Sequence, residues 1–307
     1  MKGGFMKGEV FYWILNMSIG ASVTGIVVMA LRKIKRLPRR LVFLLWAIPF
    51  LRMWAPIGIG SKYGLMGLLS RMGMKTVVVY ERRETISAMN MVGAAESYFP
   101  VTYKVNILEN VFDAAFVVWM AGCAAFLGML CFLYVSSLKE LRHTTCRQDN
   151  ILISETTESP RVYGIFRPQI LLPARYEDKD ITYVLAHEKA HIRRKDNLWR
   201  LLGFITACVH WFNPFSWLFL KLFLEDMEFS CDETVLRGLD ETGRRAYAGA
   251  LVDCAEDISI FASAFGGAGL GKRVRRILSY KRVSLFAAVC FALLGLGIAY
   301  ALLTNGM

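Results

Sequence analysis

Charge is what this 307-residue chain has least of for its size: Asp, Glu, Lys and Arg make up 20% of it against 55% hydrophobic residues. The mean hydropathy is +0.40. That balance excludes a disordered protein and is too apolar for an ordinary soluble domain of this length. Cysteine pairs at CxxC spacing are missing, and the seven Cys are an odd number in a long apolar chain, which argues against a disulfide scaffold. Acidic residues fall short of basic ones by 25 to 37. Such an excess suits nucleic acid, unless the cations collect at the cytoplasmic flanks of membrane spans.

The cations do collect there. A transmembrane helix needs about 20 mostly apolar residues, and four segments qualify. Val10 to Leu31, Ala114 to Leu138 and Ser284 to Leu303 carry no charge, while Leu41 to Ile59 carries only Arg52. The first is too long for a cleaved signal and is followed at once by a basic run, so it reads as a signal-anchor. Residues Arg32 to Arg40 hold six cations, Lys139, Arg142 and Arg147 follow the third span, and Lys272, Arg273, Arg275, Arg276, Lys281 and Arg282 precede the fourth. Placing all three clusters in the cytoplasm requires both termini outside. Nucleic-acid binding thereby loses its support. The expected organisation is a mostly α membrane protein with four transmembrane helices and an inserted cytoplasmic α+β domain. Residues 1–59 form spans 1 and 2 with their basic linker, 60–113 an outer loop, 114–138 span 3, 139–283 the cytoplasmic domain, and 284–307 span 4 with a short outer tail.

Histidine is also scarce, four residues in all, yet two of them lie in Val184-Leu185-Ala186-His187-Glu188-Lys189-Ala190-His191-Ile192. On a helix, side chains four apart project from one face, so His187 and His191 can grip one Zn²⁺. Glu188 lies beside that face, placed to act as the base that takes a proton from water. Asp178 or Asp180 can cap the helix start. A catalytic zinc site needs a third protein ligand and an open position. Arg194 and Asn197 stand where a metzincin would have Gly and His, and Trp211 stands where a Glu about twenty residues downstream would. His210 is an alternative in a strongly apolar setting. The better candidate is Glu228 in Glu225-Asp226-Met227-Glu228-Phe229-Ser230-Cys231-Asp232-Glu233, on an expected second helix. Asp232 can then hydrogen-bond one ligand imidazole. Asp196 is a further candidate behind the ligands, or a partner of Arg200. Cys208, Cys231 and Cys254 read as buried small hydrophobes.

Leu201 to Leu224 is almost entirely apolar and imitates a fifth span. Crossing there would separate Glu228 from His187, so the segment reads as two helices joined at Asn213-Pro214. Upstream, Arg161 to Pro173 suggests two short strands around a turn, confined to edge positions by Pro168 and Pro173. Val162, Tyr163, Gly164 and Ile165 could hold an extended peptide there through backbone hydrogen bonds. Gly266 to Lys272 imitates a phosphate-binding loop, but Arg273 replaces the required Ser or Thr, and a linker is the better reading.

These residues together resemble the BlaR/MecR family of membrane-embedded gluzincin metallopeptidases. The match lies in His187-Glu188-x-x-His191, Trp211-Phe212-Asn213-Pro214, Glu228-x-x-x-Asp232-Glu233, the Gly164…Pro168…Pro173 segment and Phe265-Gly266-Gly267 before a basic helix. The resemblance implies that the cytoplasmic domain is a zincin-like fold, that His187, His191 and Glu228 bind zinc, and that Glu188 is the catalytic base. It implies peptide-bond hydrolysis in transmembrane signalling, often linked to a winged-helix repressor and antibiotic resistance. The expected substrate is a cytoplasmic peptide: a repressor, another membrane protein or the chain's own stretch around Arg275-Arg276. Sensor members carry an outer penicillin-binding domain after the fourth span, where only Thr304 to Met307 remain here. Ser136-Ser137-Leu138-Lys139 has no KTG partner and is a coincidence. A signalling scaffold with a structural zinc site is the competing reading. A pore is weaker, because Arg52 alone stands out as an intramembrane charge.

Overall fold

A computed structural model of the chain describes residues 7–34, 37–55, 107–138, 144–148, 150–155, 157, 159–177, 180–255, 269–282 and 284–303. In chain order the elements are α1 (Lys7–Arg32), α2 (Arg39–Leu45), α3 (Ala47–Trp54), α4 (Ile107–Ser137), β1 (Thr144–Gln148), β2 (Ile151–Ser154), β3 (Arg161–Tyr163), β4 (Gln169–Pro173), a 3-10 turn (Ala174–Tyr176), α5 (Thr182–Arg194), α6 (Asp196–Val209), α7 (Pro214–Leu236), α8 (Glu241–Ala255), α9 (Leu270–Leu278) and α10 (Leu285–Leu303). Two compact units result: Met1–Leu127, Thr206–Phe219 and Leu285–Met307 in the first, Gly128–Ile205 and Leu220–Ser284 in the second.

Among the described residues three helices are long and apolar enough to cross a membrane: Val10–Arg32, Val111–Ser137 and Phe286–Leu303. Side chains such as Val117, Val118, Phe286 and Leu296 stand exposed. Apolar surface of that extent needs lipid or protein rather than water around it, and the chain is a membrane protein. The segment Leu41 to Ile59 departs from the expected single span. It forms two short helices that break at Trp46, and residues 56–59 lie outside the described set. Pro49 accounts for the break, because proline has no N–H to offer the carbonyl four residues back, here Leu45, and its ring crowds it. Arg52 is buried and donates from Nε and Nη2 to the Leu302 carbonyl at 3.1 and 2.9 Å. A cation on the C-terminal carbonyls of α10 is a helix-end contact. The expected outer loop lies almost wholly outside the described residues.

Leu201 to Leu224 is two helices, as its Asn-Pro junction predicts. Pro214 opens α7 at the position where a missing N–H costs nothing. Asn213 caps that helix by accepting from the Phe215 N–H at 2.9 Å, and its amide donates to Ser18 Oγ at 2.7 Å and Ser22 Oγ at 2.9 Å. On α1, Gly25 lets the Phe219 ring approach so closely that a Cβ would fall 2.1 Å from its carbons.

In the second unit the sheet order is β1-β2-β4-β3. The β2–β4 pair is parallel, with Ile151 opposite Ile170, and β3 lies antiparallel on β4. Ile151, Ile170 and Leu172 from the sheet pack with Tyr176, Ile181 and Val184, and with Leu185 and Ile192 of α5. The apolar side of α5 is thereby held down, which frees its histidine side for the site. A second cluster of Leu236, Tyr247, Ala248 and Ile277, with Tyr183 and Val274 against it, ties α5, α7, α8 and α9 together. The expected hairpin forms, turning at Gly164 with φ +85°, where a Cβ would sit 2.7 Å from the Arg167 carbonyl oxygen. Of the hairpin's two strands β3 alone lies at an edge of the sheet, however. β4 is interior, and Pro173 is accommodated because it is the last residue of the ladder, opposite Ser154.

Asn213→Ala should lower the thermal stability of the purified protein, since it removes the α7 cap and the amide that bonds the buried Ser18 hydroxyl. About 1–3 kcal/mol for each buried polar group left without a partner is expected. An unchanged melting midpoint in detergent would show that the cap carries no weight.

Candidate metal centre

α5 begins where the Asp180 carboxylate accepts from the Thr182 N–H at 3.0 Å; Asp178 lies outside the described residues. The four-residue spacing sets the rings of His187 and His191 edge to face, with centroids 4.6 Å apart. The helix ends at Lys195, whose left-handed backbone (φ 57°, ψ 39°) turns its N–H onto the His191 and Ile192 carbonyls. That turn decides where Asp196 points. In a continued helix a residue five positions on would face roughly 140° away from His191. After the reversal, the wholly buried Asp196 accepts from His191 Nδ1 at 2.6 Å.

A carboxylate can only accept, so the proton of His191 sits on Nδ1 and the Nε2 lone pair faces inward. The same logic orients His187. The Tyr247 hydroxyl donates to Asp232 Oδ1 at 2.6 Å, so its oxygen accepts from His187 Nδ1 at 2.9 Å. The two Nε2 atoms then lie 3.1 Å apart. Glu228 reaches in from α7, its Oε2 at 3.4 Å from His187 Nε2 and 3.6 Å from His191 Nε2. Four-coordinate zinc with bonds of about 2.0–2.1 Å separates its nitrogen and oxygen ligands by about 3.3 Å. The spacing and the donor chemistry of His187, His191 and Glu228 fit that ion. Glu188, the next residue after His187 on α5, is buried, 7% exposed.

Other expected positions differ in detail. Asp232 Oδ1 stands 3.4 Å from His187 Nδ1, and its hold on that ring is relayed by Tyr247. Asp196 does not pair with Arg200. Arg200 donates instead to Glu228 Oε1 at 2.6 Å, because the turn at Lys195 points Asp196 back to α5. His210 belongs to the first unit and donates from Nε2 to the Met53 carbonyl at 3.1 Å; burial pulls its pKa down to about 4. Val162, Tyr163, Gly164 and Ile165 lie on β3 and its turn, but the edge is partly taken. The Asn197 amide donates to the Val162 and Gly164 carbonyls at 3.2 and 2.9 Å.

Cys231 joins the site and differs from its expected role as a buried hydrophobe. Its donor atom lies within 4.8 Å of those of His187 and His191, and its thiol donates to the His187 carbonyl at 3.4 Å. The three-residue step from Glu228 on one helix was the signal available in the sequence. Tyr247 and Arg273 arrive from α8 and α9, and no local spacing announces them.

The electrostatics favour positive charge. Burial opposes a charged His187 and a charged His191. Cys231 and Tyr247 around the first, and Cys231, Glu228 and Asp196 around the second, outweigh it and raise both imidazoles well above the ordinary value. Burial likewise pushes Glu228 and Asp232 up, but His191, His187 and Arg200 hold Glu228 well below the usual carboxylate range, and Arg273 with His187 does so for Asp232. The two carboxylates stay ionised in a buried place, which favours a positive charge beside them, carried by a protonated ring or by a metal ion.

Tyr247→Phe should weaken zinc binding by about 10–100-fold, the usual cost of losing the partner that orients a ligand imidazole. Chelator competition measures it; wild-type affinity in the variant would mean that Tyr247 does not set the ring.

Comparison with known proteins gives a consistent answer. The profile described as BlaR1 peptidase M56 matches residues 12–277. The chain is 29% identical over 166 residues to the regulatory protein BlaR1 of Bacillus licheniformis, covering 47% of this chain and 28% of that protein. It is 29% identical over 108 residues to the methicillin resistance mecR1 protein of Staphylococcus aureus, covering 34% and 18%. It is 27% identical over 118 residues to BlaR1 of Staphylococcus aureus, covering 36% and 20%. The matched stretches span less than a third of those relatives' own length. With the profile running through both units and across α5 and α7, the chain belongs to the BlaR1 peptidase M56 family.

Proposed function

We propose that this membrane protein is a zinc-dependent endopeptidase that works in transmembrane signalling. The observation that carries the reading is the convergence of His187 Nε2, His191 Nε2 and Glu228 Oε2 within 3.1–3.6 Å, with the buried carboxylate of Glu188 next in sequence to His187. A bound zinc ion would supply the Lewis acid that polarises a scissile carbonyl and makes water a nucleophile near neutral pH. The chain's own groups do the rest. Asp196 and Tyr247 hold the two imidazoles by Nδ1, Arg200 steadies the outer oxygen of Glu228, and Glu188 takes the proton from the attacking water and passes it to the departing amine. The β3 edge at Val162 to Ile165 would align an extended peptide, through groups that Asn197 leaves open.

The topology proposed with this activity has four crossings, with Leu41 to Ile59 as the second. Both termini lie outside and residues 139–283 in the cytoplasm, in line with the positive-inside pattern. The substrate is then a cytoplasmic peptide: a winged-helix repressor, another membrane protein, or the chain itself. Nucleic acid is not a direct partner. The relatives, a regulatory protein and methicillin resistance proteins by name, support a signalling role in an antibiotic response.

Glu188→Gln should abolish cleavage, by a factor of about 10²–10⁴ for loss of a general base, while zinc content stays at the wild-type level. Proteomic comparison of cells expressing either form reads out the cleavage, and retained processing by the variant would reject Glu188 as the base.

Cys231 favours one competing reading. As a fourth protein ligand it would close the coordination and make the zinc structural, leaving a signalling scaffold. Cobalt substitution separates the two: the peptidase reading expects no thiolate-to-cobalt charge-transfer band. A band that disappears in Cys231→Ser, together with normal signalling by Glu188→Ala, would establish the scaffold.

A further inference from the structure

The sequence of α9, Leu-Gly-Lys-Arg-Val-Arg-Arg-Ile-Leu, alternates apolar and basic positions at helical spacing. Its apolar side settles its rotation. Ile277 is completely buried, and Val274 packs with it against Leu236, Tyr247 and Ala248. With that side pinned, the cations at 272, 273 and 276 turn onto α7. Lys272 Nζ meets Glu225 Oε1 at 2.7 Å, the Arg276 guanidinium carbon lies 4.3 Å from the Phe229 ring centre, and Arg273 enters the site between them. Charges expected to flank the last span are thus drawn against the helix that carries Glu228.

Arg273 engages both halves of the donor set. Its Nε and Nη2 fork onto Asp232 Oδ2 and Oδ1 at 2.9 and 2.7 Å. Asp232 Oδ1 is the oxygen that accepts from Tyr247, and Tyr247 is the acceptor for His187 Nδ1. On its other side Arg273 Nη1 stands 3.5 Å from Glu228 Oε2, and Nη2 stands 3.3 Å from His187 Nε2. We infer that Arg273 is a positioning residue of the metal centre: its fork fixes Asp232, and through Tyr247 the Nε2 of His187, while its charge balances Glu228.

The inference rests on the metal-centre reading above and adds a residue to it. A buried carboxylate without a cation is costly, and a bidentate guanidinium meets both its oxygens at once. Without the fork, Asp232 is left buried without its guanidinium and loses the geometry that holds Tyr247. Two cations in one site also repel, so Arg273 has a second, opposite effect on zinc. The bidentate pairing with Asp232 neutralises much of that repulsion, and positioning therefore prevails. Lysine keeps the charge but cannot fork, which separates charge from geometry.

Zinc affinity of the full-length protein in detergent, measured by chelator competition, tests this. Arg273→Gln should lose about 10–100-fold, Arg273→Lys should recover part of that loss, and Lys272→Gln, on the same helix but bound to Glu225, should match wild type. Affinity in Arg273→Gln equal to or tighter than wild type would overturn the inference, as would an equal loss in Lys272→Gln, which would trace the effect to the docking of α9. Should Arg273→Gln fail to fold, Arg273→Lys decides alone: wild-type affinity there refutes a role for the fork. A wild type that takes up no zinc removes the metal-centre reading and this inference with it, whereas zinc-binding wild type and indifferent variants remove only the inference.

Discussion

Two imidazole nitrogens with lone pairs turned toward each other 3.1 Å apart repel unless a positive charge lies between or beside them. That requirement organises the second unit. Asp196 and the Tyr247–Asp232 pair engage the far nitrogen of each ring and so force the lone pairs inward. Glu228, itself 9% exposed, turns a carboxylate oxygen toward the same point. Burying ionised carboxylates around two histidines is expensive without a cation, and the guanidinium groups of Arg194, Arg200 and Arg273 stand against Asp196, Glu228 and Asp232 at 3.4, 2.6 and 2.7 Å.

The packing around the site exists to hold α5 and α7 at fixed spacing. A small sheet presses on the apolar side of α5 through Ile170 and Leu172, and the cluster at Tyr247 and Ile277 anchors α8 and α9 against the end of α7. Tyr247 serves in both the apolar cluster and the polar chain, its ring packed and its hydroxyl bonded. Rigid helices and a dry interior of this kind keep ligand atoms within a few tenths of an ångström. In the first unit the demand is different: long helices meet lipid, and polar groups such as those of Asn213, Ser18 and Arg52 find partners inside the protein.

How much could be read from the residues depends on how local each relation is. The pair His187–His191 follows from helix geometry alone, and three long apolar runs announce the membrane helices. Glu228 follows one step later, as the acidic residue an incomplete ligand set calls for. Asp196 was visible as a candidate behind the ligands with Arg200 as the rival partner, and the left-handed turn at Lys195, which reverses the direction that helical continuation implies, decides between them. Pro49 splits the segment after Leu41 although its hydropathy suits one span. Tyr247 and Arg273 lie 60 and 86 residues from His187, and only tertiary packing brings them in. Cys231 reads as apolar by composition and becomes a potential ligand by position.

The central claim is that one zinc ion is held by two imidazoles and a carboxylate. X-ray absorption at the zinc edge of the purified full-length protein tests it most directly. One zinc per chain is expected, in a shell of nitrogen and oxygen that includes two imidazoles and lacks sulfur, with the metal lost in Glu228→Ala. A protein without zinc, or a shell containing the Cys231 sulfur and indifferent to Glu228, would contradict it.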